Sequence, residues 1–290
     1  MIRQSLTLIL MLPVLSAAQD GHNHPVPEKL GTVSFPTSCK PAVQQEFNRA
    51  VALLHSFAYK AAEEAFQDVS QQDPHCATAH WGSAMTHFHQ LWDLPPSLAD
   101  TAAAKQEIGE AARLEASERE RGFIHTLSLV FKDAATIPYR TRAGNFEAAM
   151  HELAVANPKD VETQVFYALA LVSNASPSDT EHRRQKLAAG LLEPLFREFP
   201  DHPGIPHYLI HACDNQELAS RGLPAARAYA GIAPSAPHAL HMPSHIFTRL
   251  GLWNDSIASN LAARSAAQNQ GDTGEELHAM DYLVYAYLQS

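Results

Sequence analysis

The sequence predicts an all-α chain, a solenoid of stacked helical hairpins, and three observations carry that prediction. Apolar residues recur at helical spacing from Pro41 onward, Asp-Pro and Asn-Pro pairs punctuate them, and histidines return at a fixed interval. The interval is 34 residues: His207 and His211 are followed at that offset by His241 and His245, and His55 by His89. Within the first two pairs the i,i+4 spacing puts both imidazoles on one helix face, about one turn apart.

The 290 residues, 46% hydrophobic, are enough for a substantial core and exclude a disordered chain. The balance of 21 basic against 31 acidic residues argues against a nucleic-acid or anionic-membrane partner, since both need a basic surface. The 17 histidines are in excess and point to metals and to pH response between about 5 and 7.

Taken in order, residues 1–18 read as a secretory signal: Arg3, an apolar run from Leu6 to Leu15, then Ser16-Ala17-Ala18 for cleavage. The expected location is periplasmic or extracellular. That run is too short to span a bilayer and no other stretch approaches about 18 uninterrupted apolar residues, so no integral membrane segment is expected. Residues 19–40, rich in Pro, Gly and polar side chains, read as an extended lead-in, with His22 and His24 either a solvated tail or a loose metal-capturing pair.

The helical region spans 41–290. Residues 42–56 carry Val43, Phe47, Val51 and Leu54 at helical spacing, and 61–72 carry Ala62, Ala65, Phe66 and Val69 before stopping at Asp73-Pro74. A second unit opens at Ala77, and a charged stretch runs from Lys105 to Arg121. Helical patterns follow around Phe123 to Phe131, over 145–156 up to Asn157-Pro158, and over 161–172. A polar loop at 173–180 leads to a long helix at 181–199 closing at Pro200. The His207 and His241 units come next, the latter continuing into a second helix at 255–268, and 275–289 is a first-type helix with no partner after it. An unpaired last helix suggests either a fragment or an end that docks on something, including another copy. Of three cysteines, Cys39 and Cys76 precede successive helical segments and form either a disulfide or two free thiols; Cys213 is either a small buried hydrophobe or a soft metal ligand.

Ala62, Phe66 and Pro74, then Trp81-Gly82, Asn157-Pro158 and Gly251-Leu252-Trp253, together with the 34-residue offsets, resemble the tetratricopeptide-repeat (TPR) family. The HYLIH and HALHMPSHIF segments also resemble exported bacterial TPR-like proteins of unassigned function. The resemblance implies a right-handed solenoid with a concave groove lined by the first helix of each pair, where a peptide or protein partner would bind. It also implies that His207, His211, His241 and His245 face that groove.

First helices packed at about 8 to 10 Å would let the four rings converge on one ion or on two close together. Imidazole suits copper, zinc and iron, and protonating such a cluster would crowd positive charges. Asp214 lies on the His207 face, and aligning the last helix with the His241 helix sets Asp281 and Tyr285 opposite the same positions. These three are the candidate supporting ligands. Pro243 is tolerated only in a first turn, which moves His241 into a cap while His245 stays helical. His238 and His278 flank the cluster. A polar network between helices, or a solvated face, would use the same residue types. No phosphate loop, GxSxG elbow or HExxH sequence occurs, so nucleotide hydrolysis and zincin-type proteolysis lack support. The leading expectation is therefore an exported TPR-like protein with a transition-metal site, its use in catalysis left open. The alternative is a non-enzymatic scaffold for a peptide or protein partner.

Overall fold

The structure, a computed structural model, describes residues 28–91 and 95–290, so the leader, His22, His24 and Trp92 lie outside the described residues. It is all-helical. Helix α1 (Gln44–His55) pairs with α2 (Tyr59–Gln72), α3 (Ala77–Thr86) with α4 (Leu98–Ala111), and α5 (Glu118–Phe131) with α6 (Tyr139–Ala156). The series continues with α7 (Val161–Ser173) on α8 (Arg183–Glu198) and α9 (Gly204–Cys213) on α10 (Ala219–Ile232). The short helices α11 (Pro237–His241) and α12 (Pro243–Arg249) act together as the first helix against α13 (Trp253–Gln270), along which α14 (Thr273–Gln289) packs. Each hairpin stacks on the next, which makes the chain a helical-hairpin solenoid.

The signals that suggested the repeats have packing reasons. Ala62 and Phe66 are fully buried on α2, and a Cβ at Gly82 would lie 2.3 Å from the Phe66 ring, so only glycine lets α3 approach α2 this closely. At Asp73-Pro74 and Asn157-Pro158 the residue before proline leaves the helical region and ends its helix. The charged stretch from Lys105 to Arg121 resolves into most of α4, a break, and the start of α5. Ser117 and Glu120 form a reciprocal capping box at that start. Helix α6 begins at Tyr139, earlier than the sequence pattern suggested; Arg142, buried in its first turns, donates to the Ile137 and Val130 carbonyls.

The inner faces of the first helices meet one another. Trp81 of α3, Phe123 of α5 and Phe166 of α7 are in mutual ring contact at 5.2 to 5.8 Å, and His55 of α1 lies 4.9 Å from Phe166. Phe35 of the lead-in is fully buried against Phe47, Trp81 and Phe123. The described part of the lead-in, from residue 28, is structural: Thr32 donates to the Asp201 carbonyl at 2.9 Å and Lys29 to Ser235 at 2.8 Å, tying it to distant interhelix connections.

Cys39 and Cys76 form a disulfide, joining the segment before α1 to the N-terminus of α3. Cys213 is buried with its thiol pushed up to about 12 by desolvation, and it packs against α10 at Gly222, which is the small-hydrophobe reading. Leu277, Val284, Tyr287 and Leu288 of α14 are exposed. Among the described residues no helix is long and apolar enough to cross a membrane. The disulfide closes a loop with a sequence separation of 37, for which loop-closure entropy amounts to about 4 kcal/mol. The Cys39→Ser/Cys76→Ser double variant should lose about that much stability in urea denaturation.

Candidate metal centre

Helix α9 carries His207 and His211, α11 carries His238 and His241, α12 carries His245, and α14 carries His278 and Tyr282. Pro243 is in the first turn of α12, where its missing N–H costs nothing, and it divides α11 from α12. Met242 between them keeps right-handed helical angles, so the axis runs on and His241 stays on the same face as His245. The expectation placed His241 in a cap; it is instead the last residue of α11, Met242 takes the cap position, and His245 is helical as expected.

Six ring nitrogens collect into two groups. His207, His211 and His238 form one, and His241, His245 and His278 the other, with the offered nitrogens of each group all within 4.8 Å of one another. Inside each group an i,i+4 pair brings two Nε2 atoms face to face at 3.1 Å, His207 to His211 and His241 to His245. The groups adjoin: the His211 and His245 rings are 5.9 Å apart and the His238 and His241 rings 6.0 Å.

The outward nitrogens are committed to oxygen acceptors, and this sets the tautomers. His207 Nδ1 donates to the His55 carbonyl at 2.5 Å, and His238 Nδ1 to the Glu275 carboxylate at 3.2 Å. His241 Nδ1 donates to Asn260 Oδ1 at 2.6 Å; the amide is oriented by its own Nδ2, which donates to the Ser256 carbonyl at 2.8 Å. His245 Nδ1 donates to Asp214 Oδ2 at 2.8 Å, with Arg249 holding the other Asp214 oxygen at 2.7 Å. With Nδ1–H committed in this way, the lone pair of each of these rings, when uncharged, is on Nε2. A carboxylate or carbonyl behind each ligating imidazole is the arrangement that orients histidines toward a metal.

Electrostatics disfavour the charged form of His207, His211 and His241. Burial, reinforced by His238, holds His207 well below its ordinary value; burial with His245, His238 and His278 does the same for His241, and burial with His207 for His211. Burial alone would raise Asp214, but the hydrogen bonds and charges of His245 and Arg249 outweigh it and keep the carboxyl ionised. Tyr282, whose hydroxyl reaches His245 Nδ1 at 3.2 Å, is pushed up to about 12 by burial.

Behind the first group lies a third constellation. Glu162, fully buried on α7, accepts from His55 Nε2 and from His202 Nε2, each at 2.9 Å, and His55 Nδ1 accepts from the Tyr208 hydroxyl at 2.9 Å. Gly204 leaves room for the His55 ring, since a Cβ there would meet His55 Nδ1 at 2.6 Å. The His55 carbonyl is the acceptor that orients His207.

The structure brings together His207, His211, His241 and His245, with Asp214 behind His245 rather than at a ligand position. His207 and His241 are fully buried. Asp281 and Tyr285 do not join the cluster: both are exposed, and Tyr285 lies against Trp253. Their places are taken by His278, 4.3 Å from the His241 ring, and Tyr282, 4.8 Å from the His245 ring. The register between α12 and α14 is 37 residues rather than the 40 that pairing His241 with Asp281 required. Helix α13 has 18 residues where α10 has 14, so the 34-residue step does not carry through, and a placement three residues too far along lands on the outer face. The role of Asn260, Glu275, Glu162 and His202 was not foreseen. His89 stacks on Tyr59 at 4.3 Å, away from both groups.

No family model and no curated protein matches the chain. Among solved structures it is similar to the crystal structure of the TPR domain of P58(IPK), with 13% identity and a TM-score of 0.29 over 86% of this chain. The aligned part is 65% of that domain's length. At that score the likeness carries no weight of its own; the helix pairing and the histidine groups define the class, an all-helical hairpin solenoid with a buried histidine cluster.

Glu162 offers a test of the supporting network. Burial alone would raise its carboxyl above 4.5, but the facing His202 and His55 rings outweigh this and hold it well below. A depressed folded value means that its stabilisation is complete above the ordinary 4.5 and is lost as pH falls through the folded value. Glu162→Gln should therefore cost about 2 kcal/mol at pH 7 and flatten the acid limb of the stability curve, both read from urea denaturation across pH 3 to 7.

Proposed function

We propose that the protein is an exported helical-repeat protein that binds a transition metal, copper, zinc or iron, through His207, His211, His241 and His245, with His238 and His278 completing the set. One observation carries the reading. The His241 and His245 rings both commit Nδ1–H to acceptors, Asn260 and Asp214, so two lone pairs confront each other across 3.1 Å. Only a shared proton or a metal cation relieves that repulsion. Burial opposes a proton held by His241, because it would leave an imidazolium at that fully buried ring among others. An Nε2 separation of 3.1 Å suits two nitrogens each about 2.0 to 2.1 Å from one ion. Export is supported by the leader-like residues 1–18 and by the Cys39–Cys76 disulfide, a bond that persists in oxidising compartments.

The rival reading, a scaffold for a peptide or protein partner, has the exposed apolar residues of α14 in its favour. The two differ over metal. Protein purified without a histidine tag should contain stoichiometric copper, zinc or iron by plasma mass spectrometry, and His245→Ala should contain less of it while keeping its helical circular dichroism. Metal-free protein, with His245→Ala unchanged in every respect, would leave the scaffold reading.

Asn260 gives a finer test, since it touches no proposed donor atom and reaches the cluster through the Nδ1–H of His241. Asn260→Ala should weaken metal binding by about 10- to 100-fold in a chelator competition.

A further inference from the structure

Resting on that reading, we infer that the six rings hold two metal ions side by side, one bound by His207, His211 and His238 and the other by His241, His245 and His278. The donor atoms gather as two sets of three with no member in common, each compact enough for a single ion. Each set also has its own pair of orienting acceptors: the His55 carbonyl and Glu275 for the first, Asn260 and Asp214 for the second.

The repeat explains why there are two. Each set takes an i,i+4 pair from one first helix, or from the α11–α12 pair that replaces one. The third ring of each set comes from the far side of its pair: His238 from α11 for the α9 pair, and His278 from α14 for the α11–α12 pair. A site built at one junction is thus built again at the next. The junctions touch, because the rings on either side of the boundary are 5.9 and 6.0 Å apart, within the 4.3 to 6.5 Å spread found inside the second set. Two occupied sites would be neighbours and would sense each other.

The donor chemistry narrows the metal. Asp214 and Glu275 face ring Nδ1 atoms from behind, and each set of donors is entirely imidazole nitrogen. Such sets suit copper and zinc, whereas iron oxygenase sites use two histidines and a carboxylate.

Copper(II) titration of the tag-free, metal-stripped full chain tests this, with bound copper measured by plasma mass spectrometry and electron paramagnetic resonance recorded at each step. The expected result is two ions per chain, with a spectrum at full loading broadened or silenced by coupling relative to that at low loading. His211→Ala and His278→Ala, each changing a partly exposed ring of a different set, should each fall from two ions to one and show an uncoupled spectrum. One ion in the unmodified chain overturns the two-ion inference but leaves the metal reading standing; no ion overturns both. Two ions with independent spectra overturn the pairing, and retention of two ions by either folded variant overturns the assignment of the sets. If a variant does not fold, the titration of the unmodified chain decides.

Discussion

A single buried carboxylate ties the first hairpin to the histidine cluster. Glu162 has no exposure to water, and an isolated charge there would be strongly unfavourable, so its two oxygens need donors. They find them in His55 of α1 and His202 of the α8–α9 connection, drawing three distant parts of the chain to one point. Once the His55 ring is held, between Glu162, the Tyr208 hydroxyl and the space left by Gly204, its carbonyl is held too. That carbonyl sets the tautomer of His207. The closure of the solenoid and the chemistry of its cluster are in this way one constraint, running from α7 through α1 to α9.

How much of this was legible follows from the range of each interaction. Helix stops at Asp73-Pro74 and Asn157-Pro158, the close helix approach at Gly82, and the split at Pro243 are local, and the sequence carries them openly. The four central histidines were legible because a repeat writes the same spacing twice. Positions Gly204, His207 and His211 are followed by His238, His241 and His245 at 34 residues, then by Glu275, His278 and Tyr282 at 37. The second step is hidden by the longer α13, which is why Asp281 and Tyr285 were set opposite the cluster in place of His278 and Tyr282. Glu162 and His202 were beyond reach of pattern, since Glu162 meets His55 across 107 residues and His202 across 40, with no periodicity linking them. Nor does an asparagine in the middle of α13 stand out, until the His241 ring is seen donating to it.

The acceptors behind the rings differ in charge, and the difference has consequences for what the cluster holds. His207 and His241 rest on neutral oxygens, a carbonyl and an amide, while His238 and His245 rest on carboxylates. Each set of three thus has one neutral and one anionic support, with Arg249 partly offsetting Asp214. A carboxylate behind an imidazole raises its basicity as a donor, and in a region with little water the negative charge also offsets that of a bound cation. Asp214 and Glu275 are therefore better placed to balance a cation than to bind one, since their oxygens are already occupied by ring N–H groups and, at Asp214, by the Arg249 guanidinium.

The same arrangement bears on folding without metal. Neutral imidazoles whose lone pairs point at one another are not a low-energy packing, and the fully buried His207 and His241 have no water to turn toward. What holds them in place is the rigidity of their surroundings: the Nδ1 hydrogen bonds, the ring contacts of Phe57 and Tyr229 with His207, and the helix axis that Met242 keeps continuous past Pro243. Such a cluster resists collapse because four of its rings are fixed from behind. A cation entering it would encounter donors already oriented, so that little of the binding free energy is spent on ordering the site. That order carries the repulsion of the lone pairs that His241 and His245 turn toward each other, which a bound ion would relieve, so that metal and fold would stabilise each other.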